Sequence, residues 1–185
     1  WEKFLLATVQ IQLLRKKRRN QNMPKNVLIV TASLRAGSNS DTLAQAFAKG
    51  AREAGHTVEI VSLKGKAISF CQGCLACQKT QKCVLADDAV SIAEKIGHAD
   101  VVAFAGPVYY YGLAGQLKTL LDRCNPLYSS DYTFRSVYLL TTAAEAEETA
   151  VEGSVKGIQG WVDCFEKAEL SDTIFAGGVT DAGEV

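Results

Sequence analysis

One stretch near the start of the chain, residues 26–42, constrains the fold more than any other. It opens with Val27-Leu28-Ile29-Val30, an apolar run rich in β-branched residues that predicts a strand buried on both faces. A hydroxyl-rich loop follows, and Thr42 then begins a helical pattern of apolar residues. Strands buried on both faces occur in parallel sheets covered by helices, so this stretch predicts an α/β fold.

The loop between this strand and this helix has the composition of an anion site. Free N–H groups and the positive end of the helix dipole converge there, and hydroxyls and one guanidinium add donors. Neither G-x-G-x-x-G nor a P-loop is present, because Gly37 is the loop's single glycine and no Gly-Lys-Ser/Thr follows. We expect a monophosphate held largely by side chains, with a simple capped helix as the alternative. The candidates are Ser33, Arg35, Ser38, Asn39 and Ser40.

Strands and helices alternate along the rest of the chain. Apolar runs predict four further strands, at residues 57–63, 100–105, 135–142 and 170–176. Helical patterns are expected between the five strands, at residues 42–54, 87–97, 113–124 and 147–168. Five strands with right-handed crossovers predict a doubly wound parallel sheet in the order 2-1-3-4-5. Its ligands are expected where the loops after strands one, three and four meet.

The loop after the third strand is aromatic. Pro107 is expected to end the strand, and Gly112 lets backbone approach a flat ligand closely. Three consecutive tyrosines at the carboxyl end of a strand favour a site bordering an aromatic ring system over half-buried packing. The segment consists of Pro107, Val108, Tyr109, Tyr110, Tyr111 and Gly112.

Four of the six cysteines form the pattern Cys71-x2-Cys74-x2-Cys77-x5-Cys83. Four thiolates suit an iron–sulfur cluster or a tetrahedral zinc ion, and the triple spacing is closer to the cluster run C-x2-C-x2-C. The third interpretation is free thiols without a metal. No export signal is visible, so we expect a reducing, cytoplasmic location. Cys124 and Cys164 lie on expected helices and are predicted to be buried.

Acid–base groups are scarce in this sequence. The two histidines, His56 and His98, are expected in a turn and before a strand, and Asp87-Asp88 occupies the place of a helix cap. No pairing of a nucleophile with a base is evident. The reactivity is therefore expected to come from a cofactor.

Residues 1–22 differ in composition from the rest. They carry six basic residues against one acidic residue, so in a formally neutral chain the remainder is acidic, which argues against nucleic-acid binding. Their apolar part is too short and too polar to span a bilayer, and no secretory cleavage site follows. We expect a leader or appended segment, with a basic amphipathic membrane-surface helix as the alternative. A single domain without membrane association is expected over residues 23–185.

With these residues in place, the chain resembles the flavodoxin-like NAD(P)H-dependent FMN reductases, and among them the iron–sulfur flavoprotein branch. The resemblance runs from about Asn26 to the carboxyl end and rests on three motifs in order: SLRAGSNSDT, CQGCLACQKTQKCVLADD and GPVYYYGLAGQLKTLLDR. It implies a flavodoxin-like five-stranded sheet, bound FMN, NAD(P)H as electron donor, and a homodimer or homotetramer. The family usually continues into a further helix beyond residue 185.

The resemblance also implies roles for the matching positions. The five candidates in the hydroxyl-rich loop match the family's FMN-phosphate loop, and residues 107–112 match the segment that lines the isoalloxazine. Near its pyrimidine edge would lie Thr141, Thr142 and Ala143. The four clustered cysteines match the ligands of a [4Fe–4S] cluster, although many similar reductases keep such a loop without one.

The implied function is an FMN-dependent oxidoreductase. It would pass electrons from NAD(P)H through FMN to a quinone, a flavin, a nitro compound or a protein acceptor. Two other classes stay open at this point: an iron–sulfur flavoprotein acting as a non-enzymatic electron carrier, and an interaction module whose cysteine loop holds zinc.

Overall fold

The structure, a computed structural model, describes residues 23–185. The expected leader, residues 1–22, lies outside the described residues. The sheet contains β1 (Asn26–Thr31), β2 (Thr57–Ser62), β3 (Val101–Tyr109), β4 (Gly112–Leu113), β5 (Ser136–Thr142) and β6 (Glu169–Ala176). Its order is β2-β1-β3-β5-β6, with all neighbours on this path parallel and the two-residue β4 antiparallel to β3. The predicted order 2-1-3-4-5 is therefore confirmed for the five main strands.

Within residues 23–185, five α-helices connect or cover the strands. They are α1 (Asn39–Glu53), α2 (Ala76–Thr80), α3 (Asp88–His98), α4 (Gly115–Arg123) and α5 (Glu152–Val162). Two 3₁₀ segments, Asn125–Ser129 and Glu148–Val151, follow α4 and precede α5. Among residues 23–185, no helix is both long and apolar enough to cross a membrane.

The helix boundaries follow their capping residues. α1 begins three residues before the expected Thr42, because the Ser38 side chain accepts a hydrogen bond from the N–H of Asp41 and caps the first turn. Asp87 caps α3 in the same way through the N–H of Ala89, which confirms the expected cap. The single helix predicted over residues 147–168 is wrong: it starts as a 3₁₀ segment, and α5 ends at Val162. The chain then turns so that Phe165 can be buried in the core.

Both faces of β1 are covered, as the apolar run predicts. Leu28 and Val30 pack in a cluster with residues of α3, α4 and α5, whereas Val27 and Ile29 pack against α1 on the other face. The alternation follows from the period of two in a strand. Helices on both faces of a parallel sheet leave the carboxyl ends of its strands as the place where loops can form a site.

The prediction that Gly106-Pro107 ends the third strand is wrong, because β3 continues to Tyr109. The Ala105 carbonyl accepts the N–H of Ala32, so the polar groups of Ala105 face β1. The backbone groups of Pro107, two residues later, face the same side as those of Ala105. On that side β1 has already ended at Thr31. The missing N–H of Pro107 therefore costs no hydrogen bond to a neighbouring strand, and β3 can carry the aromatic segment beyond the sheet edge.

Candidate functional site

The ends of β1, β3 and β5 are tied together by hydrogen bonds. Ala32 donates its N–H to the Ala105 carbonyl at 2.7 Å, and the Gln116 side chain of α4 donates to the Ala32 carbonyl at 2.5 Å. The Thr141 hydroxyl donates to the Gly106 carbonyl at 2.9 Å. These bonds hold the starts of the three predicted loops at the switch point between β1 and β3.

The hydroxyl-rich loop folds over the N-terminus of α1. Ser33, Ser38 and Ser40 are all buried, and the Ser33 hydroxyl accepts the N–H of Arg35 at 3.3 Å. The hydroxyls of Ser38 and Ser40 lie 3.4 Å apart. Gly37 makes the turn with φ of +61°, in the left-handed region that favours glycine. Hydroxyls and free helix N–H groups are thus gathered as an anion site requires.

Arg35 contacts the C-terminal segment of the chain. Its Nη1 donates to the Thr180 carbonyl at 2.7 Å, and its Nη2 lies 3.6 Å from the Asp181 carboxylate. Both side chains of this ion pair are more than half exposed, so the pair contributes about 0–1 kcal/mol. A phosphate at the loop can therefore compete for the guanidinium.

Asn39 is bound more firmly to the same segment. Its amide nitrogen donates to the Asp181 carbonyl at 2.8 Å, and its amide oxygen accepts the N–H groups of Gly183 and Glu184, each at 3.1 Å. The structure thus places Asn39 at the first residue of α1, with its amide used to fasten residues 181–184. Sequence reasoning missed this contact, because its partners are backbone groups that carry no sequence pattern.

The aromatic segment forms a hairpin with strained backbone. Tyr109 pairs with Gly112, and the two residues between them, Tyr110 and Tyr111, have φ of +47° and +59°. Two consecutive positive φ values are typical of a type I′ turn, which favours Asn-Gly. Left-handed backbone costs an ordinary residue about 1–2 kcal/mol, and such strain clusters at ligand sites. Tyr110 is fully exposed, and the other two tyrosines are more than half exposed.

The hairpin rests directly on α5. A Cβ at Gly153 would lie 2.1 Å from the carbonyl oxygen of Tyr111, and one at Gly157 would lie 3.1 Å from the Leu113 side chain. Only glycine allows α5 to approach the hairpin this closely. In sequence these glycines indicate a weakened helix, whereas in the fold they fix the position of the tyrosines.

All four clustered cysteines line one pocket, which is open to solvent. Cys77 is buried, Cys83 is partly buried, and Cys71 and Cys74 are exposed. Among residues 23–185, no three metal-ligating side chains lie close enough together to hold one ion. The zinc interpretation therefore gains no support. The four thiols line the same pocket, but among the described residues they are not gathered into a cluster site either, so the structure leaves the cluster and free-thiol interpretations as predictions.

A buried ion pair lies beside this pocket. Arg123 has a fully buried side chain and binds both oxygens of Asp87, at 2.7 and 2.9 Å. The hydrogen bond from Arg123, with those from the N–H groups of Ser69 and Ala89, outweighs burial and lowers the pKa of Asp87 to about 2. Sequence reasoning missed the pair, because an arginine in the last turn of a helix is ordinarily an exposed partner of the dipole.

The two cysteines outside the cluster differ. Cys124 is fully buried, and burial raises the pKa of its thiol to about 12. The prediction that Cys164 is also buried is wrong, since it is exposed. It lies beyond the end of α5 at Val162, in the turn that leads to Phe165.

Comparison with known proteins identifies the family. Residues 25–163 match the NADPH-dependent FMN reductase family. An iron–sulfur flavoprotein from Methanosarcina thermophila is 27% identical over 82% of this chain and 80% of its own length. Another from Methanocaldococcus jannaschii is 35% identical over 55% of this chain. The matched region spans about half the length of this relative and of one from Archaeoglobus fulgidus.

Solved structures show the same fold. An NAD(P)H:quinone oxidoreductase from Methanothermobacter marburgensis superposes with a TM-score of 0.63 at 22% identity, covering 88% of this chain and 89% of its own. An azoreductase from Bacillus anthracis gives 0.65 at 19% identity, covering 83% and 87%. The flavodoxin-like sheet is thus confirmed. The chain belongs to the NADPH-dependent FMN reductase family, and it is similar to iron–sulfur flavoproteins.

Proposed function

We propose that this chain binds FMN at the carboxyl edge of its sheet and transfers electrons from NAD(P)H to a small-molecule or protein acceptor. The family supports FMN-dependent oxidoreduction. The observation that carries the proposal is the convergence of the loops after β1, β3 and β5 at the switch point of the sheet. Bound FMN would supply the redox chemistry of this reaction.

The loop after β1 is the proposed phosphate site. Ser33, Ser38 and Ser40 provide buried hydroxyls, and α1 provides free N–H groups and the positive end of its dipole. Arg35 adds a cation once its weak pair with Asp181 opens, because a charge-assisted bond to phosphate is stronger than an exposed ion pair. Asn39 holds the loop against the C-terminal segment.

The hairpin and the end of β5 are the proposed walls around the flavin ring. Residues 107–112 present three tyrosines on a backbone that α5 holds in place, so the wall is formed before the ligand arrives. The predicted pyrimidine-edge residues are Thr141, Thr142 and Ala143. Thr141 links β5 to β3, and the N–H of Ala143 donates to the Ala176 carbonyl, so both have fixed positions.

The chain contains its own matched control for the phosphate loop. Ser33-Leu34-Arg35 follows β1, and Ser62-Leu63-Lys64 ends β2. In both, the serine hydroxyl accepts the N–H of the basic residue, at 3.3 and 3.2 Å. The two motifs share a local geometry, but only the first lies at the switch point. A ligand bound there should therefore distinguish them.

The test is an FMN titration of two double variants, followed by flavin fluorescence. S33A/R35A removes two polar interactions of about 1.5 kcal/mol each, so FMN should bind about 100-fold more weakly. S62A/K64A should bind FMN as the wild type does. Equal affinity in the two double variants would contradict the phosphate-loop assignment.

One observation favours the second candidate function, an iron–sulfur flavoprotein that carries electrons without being an enzyme. Four thiols surround one pocket, and α4 connects this pocket to the proposed flavin site. Gln116 donates to the Ala32 carbonyl at the start of the loop after β1, and Arg123 lines the pocket, seven residues or about 10 Å along the helix. An enzyme should oxidise NAD(P)H steadily with a soluble quinone, whereas a carrier should show almost no turnover.

The remaining predictions belong to the same proposal. Light scattering coupled to gel filtration checks the homodimer or homotetramer. Steady-state rates with NADH and NADPH decide which nucleotide is the donor, and cell fractionation checks the cytoplasmic location.

A further inference from the structure

One guanidinium joins the two ends of the cysteine loop. Nη1 of Arg123 donates to the Ser69 carbonyl at 2.8 Å, and Nη2 donates to the Leu85 carbonyl at 3.1 Å. Ser69 lies two residues before Cys71, and Leu85 lies two residues after Cys83. All four clustered cysteines therefore lie on a loop whose two ends are held by one side chain.

The charge of Arg123 is already balanced, but its donors are not all used. Asp87 binds both Nη atoms and also accepts the N–H groups of Ser69 and Ala89. Nε of Arg123 is buried and has no hydrogen-bond partner among the described residues. Buried donors without acceptors are rare and destabilising, so this N–H indicates an acceptor that arrives with a ligand.

The unused donor belongs to the cysteine pocket. Arg123 lines this pocket together with the four cysteines, and Cys83 lies within interaction range of its guanidinium. A second donor lies nearby, since the Asn125 amide nitrogen donates to the Cys77 sulfur at 3.1 Å. Neutral thiols are weak acceptors, whereas the anionic sulfur of a metal-bound thiolate is a strong one. The donor set therefore suits a sulfur-ligated anionic group.

We propose that Arg123 is the positioning residue of an iron–sulfur site in this pocket. It holds both ends of the cysteine loop, and its free Nε–H would donate to the sulfur of Cys83 in the loaded site, while Asn125 donates to the sulfur of Cys77. The inference rests on the second candidate function, in which the four clustered cysteines hold an iron–sulfur cluster. Hydrogen bonds to ligand sulfurs stabilise the more negative, reduced state, so both donors raise the reduction potential of the site.

The test uses the full chain, purified without oxygen and reconstituted with ferrous iron and sulfide. The variants are R123K, N125A and the control R135K. Arg135 also donates to three backbone carbonyls, at 3.2, 2.7 and 2.9 Å, but it does not line the pocket. Lysine keeps the positive charge at position 123 but has neither the Nε donor nor the planar fork that spans two chain ends.

Two readouts separate holding the loop from donating to sulfur. During a chelator challenge, wild type and R135K should keep their iron and sulfide, and R123K should lose them about tenfold faster. N125A leaves the ends of the loop held, so it should keep its iron while its reduction potential, followed by electron paramagnetic resonance, falls below that of the wild type.

Equal iron retention by R123K and R135K would overturn the positioning role of Arg123. A reduction potential of N125A equal to that of the wild type would overturn the donor role. Because N125A leaves the buried pair of Arg123 and Asp87 intact, it can be measured even if R123K fails to fold. A wild type that binds FMN but takes up no iron would overturn the cluster assignment, and the inference with it, while leaving the FMN function standing.

Discussion

Replacing Gly153 with alanine tests whether α5 sets the position of the tyrosine hairpin. The new Cβ would lie 2.1 Å from the carbonyl oxygen of Tyr111, and side-chain carbons essentially never approach another atom closer than 3.0 Å. The contact must therefore open by at least about 0.9 Å. Because the obstacle is backbone, a rotamer change cannot relieve the overlap.

The energetic cost can be worked from this overlap. Overpacking of a tight contact costs about 1–3 kcal/mol, and a backbone obstacle places this site in the upper part of that range. Alanine recovers up to about 1 kcal/mol of helix propensity, so G153A should lose about 2 kcal/mol of unfolding free energy. A displacement of this size should also weaken FMN binding by about tenfold, or 1.4 kcal/mol, because the hairpin is the proposed wall of the site.

Two other glycines of α5 provide graded controls. A Cβ at Gly160 meets nothing within 4 Å, so G160A should gain up to about 1 kcal/mol and bind FMN normally. G157A meets only the flexible Leu113 side chain and should fall between the two. Urea denaturation measures stability, and FMN titration measures affinity. If G153A were as stable as G160A and bound FMN equally well, the contact between α5 and the hairpin would be refuted.

Three further predictions follow from the same contacts. The pKa of Asp87 is lowered from 3.8 to about 2, so its carboxylate stabilises the fold above pH 4, and this stability is lost as the pH falls toward 2. Allowing for solvent screening, urea denaturation at a series of acidic pH values should show a loss of about 1–2 kcal/mol in the free energy of unfolding, and D87N should abolish this loss. Substituting Asn-Gly for Tyr110-Tyr111 should raise the free energy of unfolding by about 1–3 kcal/mol and weaken FMN binding. A variant that is more stable and also binds FMN more tightly, or one that is less stable and binds it more weakly, would argue against a functional origin of the strain. In the native protein a thiol reagent should modify Cys164 but leave Cys124 unmodified until denaturant is added, which mass spectrometry can follow.

The periodicity of the apolar residues and the composition of each segment were enough to predict the sheet. The β-branched run of β1 and the regular alternation of strands and helices predict the order of the five main strands, because crossover handedness leaves few alternatives. The continuation of β3 through Pro107 could not be predicted from the residue type alone. It depends on β1 ending at Thr31, which leaves the nitrogen of Pro107 facing no partner.

The candidate site was predicted at the level of loops but not of contacts. Topology brings the loops after β1, β3 and β5 together, as the chain order predicts. Two sets of contacts were not predicted: the buried pair of Arg123 and Asp87, and the hydrogen bonds of Asn39 to the C-terminal segment. Both join residues that are 36 or more positions apart in the sequence. Such pairs leave no periodic signal in a single sequence. The φ values of Tyr110 and Tyr111 likewise contradict the preference of tyrosine, so no propensity argument could have found that turn.

The visible spectrum of protein purified without oxygen tests the central claim most directly. The claim is that the loops at the carboxyl edge of the sheet bind FMN. It predicts paired flavin bands that bleach with dithionite, FMN released on denaturation in about a one-to-one ratio to the chain, and bands that S33A/R35A loses while S62A/K64A keeps them. A spectrum without flavin bands that added FMN does not restore would contradict the claim.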